Sequence, residues 1–334
     1  MSNSCLLSSK HPHYLVALGA LALALASSAA AAPITGGDPI LLEKTQGRFD
    51  FLEVDAPRRR LLLAHTGNKS LDVFDLETRH LLKNLPTGAA QDSAIDPKKG
   101  RYFAAVSAPP KMAIIDAEKL EVTGEIPLPA AADLMVFNAA NGLAYVCNDE
   151  SPQMWVIDPE VKKITTTITL PGKGMEGLVI GPRHGRIYQA LKEANALVRI
   201  DLANNKVLET WSTAPAESPH GVALVPETEF ILVAGGNGKL VMMNRSTGKV
   251  VSSADIAPRV DEIAYDPELH TAYCASGQGK ISVVSVAGDK LTSLGDVPGA
   301  SGCHSIAVDP KTHVVWIAYA KGEESFVQPF APGK

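Results

Sequence analysis

A tight corner recurs seven times along this chain, each time closing a short apolar stretch: Asp55-Ala56, Asp96-Pro97, Asn138-Ala139, Gly181-Pro182, Val225-Pro226, Asp266-Pro267 and Asp309-Pro310. The intervals are 41, 42, 43, 44, 41 and 43 residues. A second marker follows each of the first six corners by about 20 residues, where an alternating stretch ends in Asp75, Asp116, Asp158, Asp201, Asn244 or Ser285. Two independent markers that drift together in the same period define a structural repeat. Within one unit the pattern reads as four short strands, clearest at Leu134 to Phe137, Leu143 to Cys147, Met154 to Ile157 and Ile164 to Leu170. Proline pre-sets φ at the corner, and Asp or Asn bonds its own backbone there. Period-2 alternation appears in every unit, and no stretch after residue 32 keeps a 3.6-residue apolar stripe over three turns. Short strands repeating about every 42 residues are the signature of propeller blades.

The expected fold is therefore all-β, a seven-bladed β-propeller of four-stranded antiparallel blades. The seventh unit runs short, because only six residues follow its third strand at Ser325 to Gln328. A spare strand, Ile40 to Lys44, precedes the first unit at Arg48. Lending it to blade 7 closes the ring and pairs two edges that would otherwise invite aggregation. Residues 33–334 make one domain, with no room for a second.

Residues 1–32 read as a cleaved signal peptide. Lys10, His11 and His13 precede an apolar run from Leu15 to Ala26, and small residues follow from Ser27 to Ala32, with the cut expected between Ala29 and Ala32. The run is too short to span a bilayer, which takes about 20 residues. The expected location is periplasmic or secreted. Removing this segment takes away one basic residue and no acid, leaving 30 basic against 36 acidic residues. That balance excludes nucleic acid as a partner class, and the Arg58, Arg59 and Arg60 triplet reads as a solvated turn. Cys147, Cys274 and Cys303 remain, an odd number, so at least one is a free thiol unless it pairs between chains. A Cys274–Cys303 bridge between adjacent blades stays open. No Cys/His spacing suggests structural zinc.

Tyr145, Val146, Cys147 and Asn148 resemble the Y-V-T-N tetrad of the YVTN-repeat propellers, with Cys in place of Thr. Ile187-Tyr188, Tyr273-Cys274-Ala275 and Trp316-Ile317-Ala318 are weaker versions on the same strand. The resemblance covers residues 33–334 and is closest to the YncE-like bacterial propellers. It implies a periplasmic or extracellular protein and carries over no catalytic residue.

Aligned on the corner, the residue five positions earlier starts each innermost strand: Asp50, Gln91, Asp133, Glu176, His220, Asp261 and His304. All are polar, whereas positions three and one before the corner are almost all apolar. Polarity is thus expected only at the channel mouth, as a ligand-binding ring. His220, Asp261 and His304 come from consecutive blades, with Glu176 beside them, and imidazole with carboxylate suits a divalent metal: zinc, copper or nickel for the imidazoles, calcium for the acids. A solvated rim without chemistry is the plain alternative. His65, His80, His184, His270 and His313 lie at unequal offsets and read as solvated, Gly235, Gly236 and Gly238 as a hairpin loop, and no serine has a recognisable His and Asp partner. The leading expectation is a non-enzymatic binding or scaffold protein that offers loops on one face to a periplasmic protein or small polar ligand. Alternatives are a metal-assisted hydrolase of the lactonase kind with Glu176 or Asp261 as base, and the platform subunit of a periplasmic redox enzyme.

Overall fold

The computed structural model describes residues 33–148 and 150–333, together with Met1. The leader read into residues 1–32 lies outside them. No described helix is long and apolar enough to cross a membrane.

Seven antiparallel sheets make up the described chain, six built from four consecutive strands and the seventh joining its last three strands to two from the N-terminal end. Blade 1 runs through Leu52–Asp55, Arg60–His65, Ser70–Asp75 and His80–Leu85, and the next five repeat it. The corners form as their chemistry requires. The Asp96 carboxylate accepts from the amides of Lys98 and Lys99, and Asp266 from those of Glu268 and Leu269. The second marker does the same: Asp75 caps Glu77 and Thr78, and Asn244 caps Ser246 and Thr247. In six of the seven blades the first corner carries a left-handed residue before the second strand, such as Gly100 at φ 61° or His313 at φ 60°. Glycine takes this conformation without penalty and His tolerates it better than a branched residue.

The core is divided among blade interfaces. Alternate residues of the buried second strand feed opposite neighbours: Leu61 and Leu63 pack toward blade 7, Leu62 and Ala64 toward blade 2. Seven apolar clusters result, one per interface. Polar latches reinforce them. Arg59 of blade 1 grips Asp309 of blade 7 through both carboxylate oxygens, at 2.6 and 2.5 Å. Burial alone would raise the Asp309 carboxyl, yet this guanidinium and the Thr312 hydroxyl hold it down at about 2. His313 bonds Asp266 at 2.7 Å and His184 bonds Glu229 at 3.0 Å, so neither is the merely solvated ring expected of it.

Closure follows the expected route, with an addition. Ile40–Gln46 pairs antiparallel with the last strand, Ile40 opposite Val327 and Leu41 opposite Phe326. That last strand runs over Glu324–Pro332, longer than its apolar core suggested, and Ile34–Gly36 pairs with its far end, Ile34 opposite Pro332. The three cysteines among the described residues, Cys147, Cys274 and Cys303, are free and buried, so the Cys274–Cys303 bridge does not form. Cys274 packs at the interface of blades 5 and 6, Cys303 at that of blades 6 and 7.

Candidate functional site at the channel mouth

Each innermost strand is an edge strand whose far side faces the central channel, so residues at one offset share one level of it. Five of the seven ring residues come together. Asp50, Asp261 and His304 place ligand atoms within 4.8 Å of one another, and so do Glu176, His220 and Asp261. Asp261 belongs to both groups. Gln91 stands apart, its amide oxygen accepting from the Thr66 hydroxyl at 2.7 Å, and Asp133 joins neither group.

These side chains are largely buried: Glu176 is 10% exposed, Asp50 12%, and His220, His304 and Asp261 between 23 and 28%. Three of them line a depression of about 430 Å³ that opens over Ser218, His220, Arg259, Asp261, Gly277 and His304. His304 Nδ1 lies 2.8 Å from Asp261 Oδ2. That hydrogen bond raises the imidazole pKa against the effect of burial. Burial would also raise Asp261, but His304 outweighs it and the carboxyl is lowered. Asp50 goes the other way, pushed up to about 7 by burial and then by the negative charge of Asp261. Burial raises Glu176 as well, with His220 and Lys192 opposing; the Lys192 ammonium sits 2.5 Å from Glu176 Oε1. At His220 the ring Nδ1 lies 2.7 Å from the Ser218 carbonyl, which can only accept, so Nδ1 carries the proton. Nε2 faces Glu176, 3.8 Å from its Oε1.

Two glycines explain why the groups gather here. A Cβ on Gly177 would lie 2.1 Å from the His220 carbonyl oxygen, and one on Gly221 would lie 2.9 Å from that of Asp261. Only glycine lets the strands of blades 4, 5 and 6 approach so closely, and each follows a ring residue directly, in Glu176-Gly177 and His220-Gly221. The pairing of a charged ring residue with glycine is the sequence signal that would have singled out these blades.

No protein-family model matches the chain. It is 24% identical over 305 residues to uncharacterized protein YncE of Salmonella typhi and, equally, to that of Salmonella typhimurium, covering 87% of this chain and 77% of each relative. The chain is a seven-bladed propeller similar in sequence to these YncE proteins. Among solved structures it is similar to hydrazine synthase of Kuenenia stuttgartiensis (14% identity, TM-score 0.71, 80% of this chain and 92% of that one). The WD40 repeats of RRP9 align with TM-score 0.77 at 11% identity, over 90% of this chain and all of that one. At such identities the likeness is one of fold.

Below its mouth, the YncE-like propeller departs from the expectation that polarity stops at the ring. The channel, about 380 Å³, is lined by residues of all seven innermost strands and contains Glu53, Asp92 and Glu262. Two of these acids have a structural task. Asp92 accepts from the amides of Ser93 and of Met135 in the next blade, and Glu262 from those of Ile306 in blade 7 and Leu52 in blade 1. Edge-strand amides facing the channel have no sheet partner, and buried donors need one. The acids supply it from one position further along the strand than the ring, where counting apolar offsets overlooked them. Burial pushes both carboxyls well above their ordinary range.

Glu53 caps no amide. It projects into the lumen, where its side chain stays open to the channel solvent, and the surrounding protein and then Asp55 lift its carboxyl from an ordinary 4.5 to about 7. A carboxyl with a higher pKa in the folded state holds its proton more tightly there. Its contribution to stability is therefore full below about pH 4.5 and is lost as the pH rises through about 7. Glu53→Gln in the YncE-like propeller should leave the thermal midpoint unchanged at pH 4 and raise it by about 2–4 °C at pH 8. Equal midpoint shifts at the two pH values in calorimetry would refute this.

Proposed function

We propose that the chain is an exported binding protein whose site is the channel mouth, and that its ligand is a divalent transition-metal ion. One observation carries the reading: two imidazoles and three carboxylates from five blades gather in two overlapping triads, each with its ligand atoms within 4.8 Å of one another, and His220, Asp261 and His304 line an opening large enough to admit solvent. Mixed nitrogen and oxygen donors suit zinc, copper and nickel better than calcium, which takes oxygen alone. His220 is oriented in the manner of a metal ligand, with Nδ1 tied to a backbone carbonyl and Nε2 turned toward Glu176. The strands beneath are rigid, so little ordering is needed on binding. The Lys192 ammonium, 2.5 Å from Glu176 Oε1, must turn aside for an ion to reach that oxygen.

The double variant His220→Ala/His304→Ala tests the reading. Zinc affinity by calorimetric titration should fall at least about 100-fold, with the melting temperature of the metal-free protein changed little, since neither ring belongs to a blade-interface cluster. Wild-type protein that takes up no zinc, copper or nickel would refute the metal reading.

A further inference from the structure

We propose that the mouth holds two metal ions, with the Asp261 carboxylate bridging them. This rests on the metal reading above and deepens it. The five ligand residues do not form a single cluster. They form two groups of three, Asp50 with His304 and Glu176 with His220, and Asp261 is the member common to both. Each group offers one imidazole and two carboxylates, a usable set for one divalent ion with room left for water. A single ion drawing on all five residues would need their ligand atoms mutually within reach, and only the two triads satisfy that condition. A carboxylate has two oxygens and can serve an ion with each. Carboxylate-bridged pairs with ions about 3.5–4 Å apart are a recurrent arrangement in proteins.

The anchoring of the two halves supports separate occupancy. In one, His220 Nδ1 is fixed on the Ser218 carbonyl at 2.7 Å and Nε2 faces Glu176. In the other, His304 Nδ1 faces Asp261 at 2.8 Å. Each imidazole thus has its own acid partner, and each half sits on a different pair of blades. The three carboxylates of the mouth supply anionic ligands to both halves, two to each, with Asp261 shared. The nearby side-chain cations are Arg48, 3.4 Å from Asp50, Lys192 on Glu176, and Arg259 at the edge of the depression.

The experiment is metal stoichiometry on the full chain, stripped with chelator and titrated with zinc, followed by paramagnetic resonance of the copper(II) form. Wild type should bind two zinc ions. His220→Ala and His304→Ala should each keep one, and Asp261→Asn should weaken both at least about 100-fold. Two copper(II) ions sharing a carboxylate should show a spin-coupled spectrum. If wild type binds one ion, lost equally in either histidine variant, the paired site is wrong while the metal reading stands. If wild type binds none, both fall. Two uncoupled copper signals, or two ions retained in Asp261→Asn, would overturn the bridge. Should a variant fail to fold, the wild-type stoichiometry and spectrum decide the question.

Discussion

Deleting residues 33–46 is expected to abolish the cooperative thermal transition of the propeller. This segment supplies both pieces of the outer strand of blade 7, and its two buried anchors serve different interfaces. Ile34 packs in the cluster between blades 6 and 7, Leu42 in the one between blades 7 and 1, and each is only 1% exposed. Losing them forfeits about 1.5–3 kcal/mol apiece. Their removal also uncovers Val327 and Phe330, now buried, and strips the whole of Glu324–Pro332 of its outer partner. The total, roughly 5–10 kcal/mol, is comparable with the entire stability of a typical domain. The freed edge would then pair with other chains. Circular dichroism melts and size-exclusion chromatography should show a broad transition and aggregates, with recovery when a peptide of residues 33–46 is added. A truncated protein that stays monomeric and melts within 5 °C of the parent, a bound well below the loss that about 5 kcal/mol implies, would show that closure does not depend on this strand.

His65→Ala should cost about 3–5 kcal/mol, one of the largest effects of a single side chain in the molecule. His65 is completely buried between blades 1 and 7. Its Nδ1 lies 2.7 Å from Asp72 Oδ2, its Nε2 3.0 Å from the Ser325 hydroxyl, and its ring stacks on Phe49 at 3.9 Å. Asp72 also accepts from Ser70 and Asn84, at 2.7 and 2.6 Å. The arrangement has the connectivity of a Ser-His-Asp relay, which corrects the expectation that no serine here has such partners. Ser325, His65 and Asp72 are all at 0% exposure, however, and no substrate can reach the hydroxyl. Its work is structural: it ties the last strand to the second strand of blade 1, 260 residues away. Removing the imidazole leaves a cavity and a buried carboxylate short of a donor. Denaturant unfolding should show the loss, and a serine-directed phosphonate should leave the wild type unlabelled. A His65→Ala protein within about 1 kcal/mol of wild type would refute this account.

What the chain's own order determined is the architecture. The corner and turn signals act between residues two or three apart, as when Asp75 caps Glu77 and Thr78, so they are written locally and repeat visibly. Counting them yields seven blades, the missing strand and its donor, and the offset at which polar residues meet the channel. Tertiary structure decided what the polar residues do. Gln91 and Asp50 share an offset, yet one turns to Thr66 and the other joins Asp261 and His304. Asp92 and Glu262 became amide caps because their blades happen to present unpaired edge-strand donors across the channel. His65, dismissed as solvated by its offset, found Ser325 only when the ring closed. Each of these contacts joins residues at least 24 positions apart. Their partners are set by how neighbouring blades pack, where Gly177 and Gly221 admit a close approach that no local propensity encodes.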